Sequence, residues 1–321
     1  MIIITGALGF IGSCLIQFLN DKGINNIVIV DDFSFISKVK NIENKIYSEK
    51  IEREVFINWL KSCSEKIEIL FHIGARTDTT EKDYSIFEIL NLNFSKELWN
   101  VCSQKSIPLI YASSAATYGL GEFGYTEDYD LIPKLKPLNP YAVSKNEFDK
   151  WVLKQKTSPP NWYGLKFFNV YGPNEYHKSR MASVVYQAFN QIRTYGKMRL
   201  FKSHVNNVKD GEQKRDFIYV LDVCKVCYFL YQNKPENGIY NLGSGIARSF
   251  FDLTLCTFKA MNLKLELEFI DTPNDIRNSY QYFTEANMEK LISSGYKDGF
   301  TTIEDGISDY VQNFLSSNNY Y

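Results

Sequence analysis

Ile2-Ile3-Ile4-Thr5-Gly6-Ala7-Leu8-Gly9-Phe10-Ile11-Gly12 is the stretch on which the reading of this 321-residue chain turns. Three β-branched residues in succession predict a short buried strand, ended by Thr5-Gly6. Ile11, Leu15, Phe18 and Leu19 then recur at helical spacing until Asp21-Lys22-Gly23. Gly6 suits a tight turn between strand and helix. Gly9 lets a pyrophosphate approach the backbone, and Gly12 lets the helix pack close to the strand. The N-terminus of such a helix offers N–H donors and partial positive charge to phosphates. Ile27-Val28-Ile29-Val30 predicts a second strand. Asp31-Asp32 at its end stand where a carboxylate holds the adenosine ribose of a dinucleotide.

Working outward, further strands are expected at Ile67–His72, Leu109–Ala112 and Tyr163–Phe168, with helices over Leu90–Cys102 and from near Tyr141 through Trp151. Near-continuous apolar strands alternating with helices predict an α/β fold, a doubly wound parallel (Rossmann) sheet covered on both faces. Beyond about residue 167 the pattern is less regular, so a second, smaller mixed α/β substrate domain is expected there. The expected dinucleotide-binding domain spans residues 1–167 plus returning segments at about 218–245 and 283–298. The substrate domain takes about 168–217, 246–282 and 299–321. Ile239-Tyr240-Asn241-Leu242-Gly243 reads as a strand returning to the large sheet.

The composition suits a packed core: 45% of residues are hydrophobic and 15% aromatic. A formal net charge of -1 disfavours nucleic acid or an anionic membrane as the main partner. Six scattered cysteines and an N-terminus without targeting features predict reduced thiols in the cytoplasm. No apolar run is long enough for a membrane span.

Ala112-Ser113-Ser114-Ala115-Ala116-Thr117-Tyr118-Gly119 follows a predicted strand, and Pro140-Tyr141-Ala142-Val143-Ser144-Lys145 opens a helix. Tyr141 and Lys145 lie four residues apart, so they share a helix face. A lysine ammonium and an oxidised nicotinamide both favour a phenolate, which predicts a lowered Tyr141 pKa. Tyr141 would take a proton from a substrate hydroxyl, Ser114 would orient the same oxygen, and Lys145 would hold the nicotinamide ribose. The acidic strand end favours NAD, whereas Lys38, Lys40 and Arg53 downstream offer charge for the 2′-phosphate of NADP.

This combination resembles the extended short-chain dehydrogenase/reductases, which include nucleotide-sugar epimerases and dehydratases. Phe168-Asn169-Val170-Tyr171-Gly172-Pro173, His177-Lys178 and Met181-Ala182-Ser183-Val184 resemble the branch of that family acting on ADP-heptoses. Lys214-Arg215-Asp216-Phe217 and Tyr280-Gln281 with Phe283-Thr284 do so as well. The resemblance implies inversion of carbon six in ADP-D-glycero-D-manno-heptose for lipopolysaccharide inner-core synthesis. It also implies tightly bound NADP and a homo-oligomer, often a pentamer. Cofactor contacts are implied for Gly6, Gly9, Phe10, Ile11, Gly12, Asp31, Asp32, Lys38, Arg53, Ile73, Gly74, Ala75, Arg76, Thr77, Asn91, Lys145 and Val170. Substrate contacts are implied for Ser114, Asn169, Lys178, Arg180, Phe201, Arg215 and Tyr280. Dehydratases of the family usually carry Asp-Glu after the catalytic Ser or Thr; Ala115-Ala116 stand there instead. The chain departs from the branch at Asp32, usually Asn, at Ser179-Arg180, usually Gly-Ser, and in a longer segment between Phe201 and Arg215.

Carbon six bears no acidic C–H, so inverting it needs an oxidation, a turn of the ketone and a reduction of its other face. The oxygen then occupies two positions, and two acid–base groups are expected: Tyr141 and Lys178. Arg215 is expected to face the diphosphate, with an ion pair to Asp216 as the alternative. Cys224 and Cys227 have a CxxC spacing, but they sit in an apolar run from Phe217 to Leu230 that reads as helix, so core thiols are expected and no metal site. His72 reads as structural, and His177 as either a pocket residue or a satisfied loop histidine.

Overall fold

The computed structural model describes residues 1–273, 277 and 280–321. Five residues of the expected substrate segment 246–282 lie outside the described residues. The strands are β1 (Ile2–Thr5), β2 (Ile27–Asp31), β3 (Glu49–Glu52), β4 (Ile69–His72), β5 (Leu109–Ser114), β6 (Trp162–Phe167), β7 (Asn169–Tyr171), β8 (Met198–Phe201), β9 (Lys214–Tyr219), β10 (Gly238–Leu242), β11 (Ala247–Ser249) and β12 (Leu267–Ile270). The helices that matter here are α1 (Phe10–Asp21), α2 (Arg53–Ser62), α3 (Tyr84–Phe87), α4 (Phe94–Gln104), α5 (Pro140–Val152), α6 (Val184–Tyr195), α7 (Val220–Asn233) and α8 (Phe250–Ala260).

Seven strands form one sheet in the order β10-β6-β5-β4-β1-β2-β3. Every neighbouring pair in it runs parallel. The order reverses beside β1, which opens a crevice at the carboxyl ends of β1 and β4 where ligands of such sheets bind. Helices cover both faces of the sheet, so its central strands are hydrophobic: β1 and β4 are buried at every position. The expected return at residues 239–243 is β10, paired to β6 with Tyr240 opposite Leu165.

Two small sheets lie apart from the large one. β11, β9 and β7 form one, and β12 and β8 the other. They carry segments 169–171, 198–201 and 214–219, so Asn169, Phe201 and Arg215, implied for substrate, sit on strands rather than on free loops.

Two local readings are corrected. The run Phe217–Leu230 is not all helix: β9 continues through Tyr219, and α7 starts at Val220. Asp216 explains the boundary, since its buried carboxylate holds backbone N–H groups of Ser244, Gly245 and Ala286 and fixes this strand in place. The helix expected over Leu90–Cys102 begins as a π turn, Glu88–Asn93, before α4. No helix among the described residues is long and apolar enough to cross a membrane.

Candidate active site

The first loop meets the demands of a phosphate cradle. Gly6 holds φ +69°, and a Cβ there would lie 2.4 Å from the Gly74 Cα. A Cβ on Gly12 would lie 2.2 Å from the Gly6 carbonyl oxygen. These two glycines therefore serve backbone packing, between β1, the β4 loop and α1. Gly9 differs: an added Cβ would meet only the Gly6 carbonyl, at 3.0 Å for its oxygen and 4.0 Å for its carbon. Gly9 is the N-cap of α1, and no side chain caps that end. The first-turn N–H groups of Phe10 and Ile11 are thus left for an anion, which fits the pyrophosphate of a dinucleotide.

The acidic strand end is partly neutralised by its surroundings. The Asp31 carboxylate accepts the Leu8 N–H at 2.9 Å, and Lys38 Nζ stands 4.0 Å from it. Asp32 accepts from the Ser34 hydroxyl and from its N–H at 3.1 Å, with the Arg53 guanidinium 3.6 Å away. The Ser34 hydroxyl bond is the main cause of a lowered Asp32 pKa. Lys38 and Arg53 therefore flank the acids as expected.

The loop from Ile73 to Thr77 lies across the crevice from the cradle. Thr5 Oγ1 accepts the Gly74 N–H at 3.3 Å and meets His72 Nδ1 at 2.8 Å. His72 Nε2 meets Ser95 Oγ at 2.8 Å, and burial pushes the His72 pKa down to about 3, so this histidine is a neutral structural bridge. Asn91, in the π turn, accepts the Arg76 N–H at 2.8 Å. It also donates to the Arg76 carbonyl at 3.0 Å and to Ser144 Oγ at 3.1 Å. Its amide is thus spent on shaping the loop, and its bearing on a cofactor runs through Arg76 and the start of α5.

Ser114 ends β5 and Tyr141 and Lys145 share a face of α5. The Ser114 hydroxyl accepts the Ala116 N–H at 3.1 Å, which leaves its own proton to donate. Burial raises the Tyr141 phenol pKa, opposed by the neighbouring Ser114 hydroxyl. Lys145 does not reverse the balance: its Nζ donates to the Ala112 carbonyl at 2.7 Å, and burial lowers its own pKa to about 8. The expected depression of the Tyr141 pKa is therefore not supplied by the polypeptide alone. The additional positive charge of an oxidised nicotinamide is what would supply it.

Lys178 lies in a turn, Tyr176–Met181, with its Nζ 5.3 Å above the Phe10 ring at the first turn of α1. Burial lowers its pKa, opposed by the Glu175 carboxylate. Among the described residues no ion pair holds it. His177 is satisfied by the Asn41 amide at 3.2 Å, and burial pushes its pKa down to about 4. Ser179 holds φ +48° and ψ -124°, a backbone position suited to glycine. Arg180, expected at the substrate, reaches instead to the Thr80 hydroxyl, joining this turn to the loop after β4.

Residues distant in sequence converge on the substrate side. The Phe201 and Tyr280 rings meet edge to face at 6.1 Å. The Arg215 guanidinium lies 5.5 Å from the Tyr280 ring and 5.6 Å from that of Phe250. It donates to the Lys214 carbonyl at 2.8 Å and to the Gln281 carbonyl. The alternative ion pair with Asp216 is absent, because that carboxylate is taken by the 244–245 and 286 backbone. Among the described residues no acid pairs with Arg215, which leaves its charge for an anionic ligand. Asn169 is exposed, with Val170 partly buried beside it on β7. The longer 202–214 segment folds back: Asp210 accepts the Ser203 N–H at 2.7 Å and Gln213 donates to the Phe201 carbonyl at 3.2 Å.

The model of the NAD dependent epimerase/dehydratase family matches residues 2–243. The chain belongs to this family. It is 46% identical over 331 aligned residues to the ADP-L-glycero-D-manno-heptose-6-epimerase of Fusobacterium nucleatum, covering 100% of both chains. It is 42% identical to the enzyme of that name from Nitratidesulfovibrio vulgaris, over 99% of this chain and 98% of the other. The crystal structure of the Helicobacter pylori ADP-L-glycero-D-manno-heptose-6-epimerase matches with a TM-score of 0.82 and 27% identity, over 98% of this chain and 96% of that one. A nicotinamide cofactor and a nucleotide-sugar substrate follow for this member of the epimerase/dehydratase family.

Several residues that support the site carried no sequence signal. Asn41 donates to the Leu8 carbonyl at 2.9 Å and to the Asn174 carbonyl at 3.1 Å, tying the cradle to the Lys178 turn. Asn174, at φ +73°, bonds Ser13 Oγ at 3.0 Å and both backbone groups of Tyr321, at 2.9 and 3.0 Å. These contacts join residues 33 to 161 positions apart, so neither periodicity nor local motif shows them.

Proposed function

We propose that the chain is a nucleotide-sugar epimerase that converts ADP-D-glycero-D-manno-heptose to ADP-L-glycero-D-manno-heptose by transient oxidation at carbon six. The observation that carries this reading is full-length identity of 46% to an enzyme of that name. It is supported by a fold that sets Ser114, at the end of β5, beside Tyr141 on α5, with Lys145 one helical turn further on.

When bound, a nicotinamide would supply the hydride acceptor and donor. Phe10, Ile11 and the cradle backbone would hold its pyrophosphate, and Lys145 its ribose. Tyr141 would take the carbon-six hydroxyl proton at its phenol oxygen, while Ser114 donates a hydrogen bond to the same substrate oxygen. Once the ketone has turned, Lys178 would serve the oxygen in its second position. Its partial burial and lack of an ion-pair partner suit a lysine that must exchange a proton. Arg215 would hold the diphosphate, with Phe201 and Tyr280 packing beside it and Asn169 at the rim.

The cofactor is proposed to be NADP, tightly bound. Lys38 stands at the end of β2 beside Asp31, and Arg53, though paired with Glu54 at 2.7 Å, stands beside Asp32; both would turn to a 2′-phosphate. A cytoplasmic enzyme is proposed on its free cysteines, five of them buried. A homo-oligomer, a pentamer by family resemblance, is proposed as its assembly, and lipopolysaccharide inner-core precursor synthesis as its pathway.

The test is incubation of the purified protein with ADP-D-glycero-D-manno-heptose and no added cofactor, with the carbon-six configuration followed by NMR. Inversion is expected, and UDP-glucose in a parallel tube should stay unchanged. Epimerisation of UDP-glucose at carbon four with the heptose untouched would overturn the substrate assignment.

A further inference from the structure

Behind Ser114, Tyr141 and Lys145 lies an ion pair with no exposure at all: Lys166 Nζ and Asp149 Oδ2 are 2.8 Å apart, and both side chains are 0% exposed. Removing two charges from water is expensive, and a well-packed apolar pair of the same volume often serves stability as well or better. The placement of this pair indicates another use.

Asp149 lies on α5, one helical turn beyond Lys145 and two beyond Tyr141. Its oxygens accept the Tyr111 hydroxyl at 3.1 Å and the Ser113 hydroxyl at 2.7 Å. Lys145 donates to the carbonyl of Ala112, the residue between those two, at 2.7 Å. Three successive residues of β5, ending just before Ser114, are thus stitched to the helix that carries Tyr141. Lys166 stands on β6 in register with Ser113. Besides Asp149 it donates to Thr117 Oγ1 at 2.7 Å, and the Thr117 hydroxyl in turn donates to the Ser114 carbonyl at 2.8 Å. Ser114 is therefore fixed from both sides, through Ser113 and through Thr117, and both routes end on the same pair.

We propose that Asp149 and Lys166 are positioning residues for the oxidation and reduction steps, holding the Ser114 hydroxyl, the Tyr141 phenol and the Lys145 ammonium in one fixed arrangement. The proposal rests on the epimerase reading above. Asp149 also faces Lys145 as its nearest negative charge, opposing the burial that lowers the lysine's pKa. The other ionisable groups there are Tyr141 on α5, Tyr111 on β5, Tyr118 just after β5 with its ring 5.0 Å from Lys166 Nζ, Glu127, Lys166 on β6, and His72 on β4, which stays neutral because burial pushes its pKa to about 3.

The test uses the full-length protein with its bound dinucleotide and four variants: Asp149→Asn, Lys166→Arg, the double variant Asp149→Asn/Lys166→Met, and Tyr141→Phe. Asp149→Asn keeps the side chain's shape but leaves the buried Lys166 charge without its partner, so its melting temperature is measured alongside, with the double variant as its control. Its kcat should fall about tenfold or more with KM little changed, since misplacement of reacting groups acts on the chemical step. The basic limb of its pH profile should move acidward by about half a pH unit or more, because Lys145 loses its counter-charge. The double variant leaves no unpaired charge, so it should melt near the wild type yet remain slow. Lys166→Arg, which keeps the charge, should retain most of the activity. A double variant with wild-type kcat and pH profile would reduce the pair to a structural role and overturn the proposal. If Tyr141→Phe also epimerises at the wild-type rate, it is the epimerase chemistry that has failed, a result distinguishable from failure of the positioning role alone.

Discussion

Replacing Ser179 by glycine should stabilise this protein. Ser179 holds φ +48° and ψ -124° in the turn that carries Lys178. Keeping an L side chain there costs about 1–2 kcal/mol. What the surroundings use at this position is main chain: the Ser179 carbonyl accepts from Gln187 Nε2 at 2.8 Å and from the Ala182 N–H at 3.1 Å. Both bonds survive in a glycine variant. Against the relieved strain stands glycine's greater freedom in the unfolded chain, about 0.5–1 kcal/mol. The net gain is about 0.5–1 kcal/mol, a rise in melting temperature on the order of 1 °C for a chain of this length. Ser179→Val supplies the contrast, because a β-branched side chain tolerates this backbone least, and it should lose about 1 kcal/mol or more. Urea unfolding of the three proteins side by side measures both differences. A glycine variant less stable than the parent, or a valine variant of parental stability, would refute the strain argument.

Three further perturbations separate roles that look alike in sequence. Gly9→Ala should fold normally and yet lose bound dinucleotide about tenfold or more, because its Cβ enters the space left for phosphates; Gly12→Ala should instead be destabilised by roughly 1–3 kcal/mol. Equilibrium dialysis and thermal melts on the pair check this, and equal behaviour of the two would sink it. Arg215→Lys keeps the charge but loses the planar fork, so KM for the ADP-sugar should rise about tenfold with kcat less affected; an unchanged KM removes the diphosphate role. His72 should shape acid stability. Its folded pKa is about 3, against about 6.5 when unfolded. Between those values the unfolded chain binds a proton that the native one does not. The His72 contribution is therefore full above about pH 6.5 and is lost as pH falls, by about 1.4 kcal/mol per pH unit. His72→Asn should flatten the stability–pH curve by that slope between about pH 6 and 4, and an unaltered slope would contradict the assignment.

The parts of this molecule that were legible in its sequence are those set by local pattern. Ile2-Ile3-Ile4 followed by the glycine cradle reads as strand, turn and helix because period and φ demands are written within a dozen residues. Tyr141 and Lys145 share a face for the same reason. Edge strand β3, Glu49–Glu52, has only Ile51 buried and offered no such pattern. β7, β8, β11 and β12 are three or four residues long, too short for a period to emerge. The burial that raises the Tyr141 pKa in the polypeptide alone is supplied only by the packed structure. The reach of Arg180 to the Thr80 hydroxyl likewise joins segments that no local pattern connects. Asn174, Asn41 and the Lys166–Asp149 pair act across long sequence separations and show no local motif.

The central claim is that carbon six is oxidised and then receives its own hydride back. The direct measurement is turnover of ADP-D-glycero-D-manno-heptose in deuterium oxide, with carbon six of the recovered product read by NMR and mass spectrometry. Internal return predicts inverted product whose carbon six carries only protium. One deuterium gained there per inversion would mean that solvent supplies the new C–H bond, and the hydride account would be wrong.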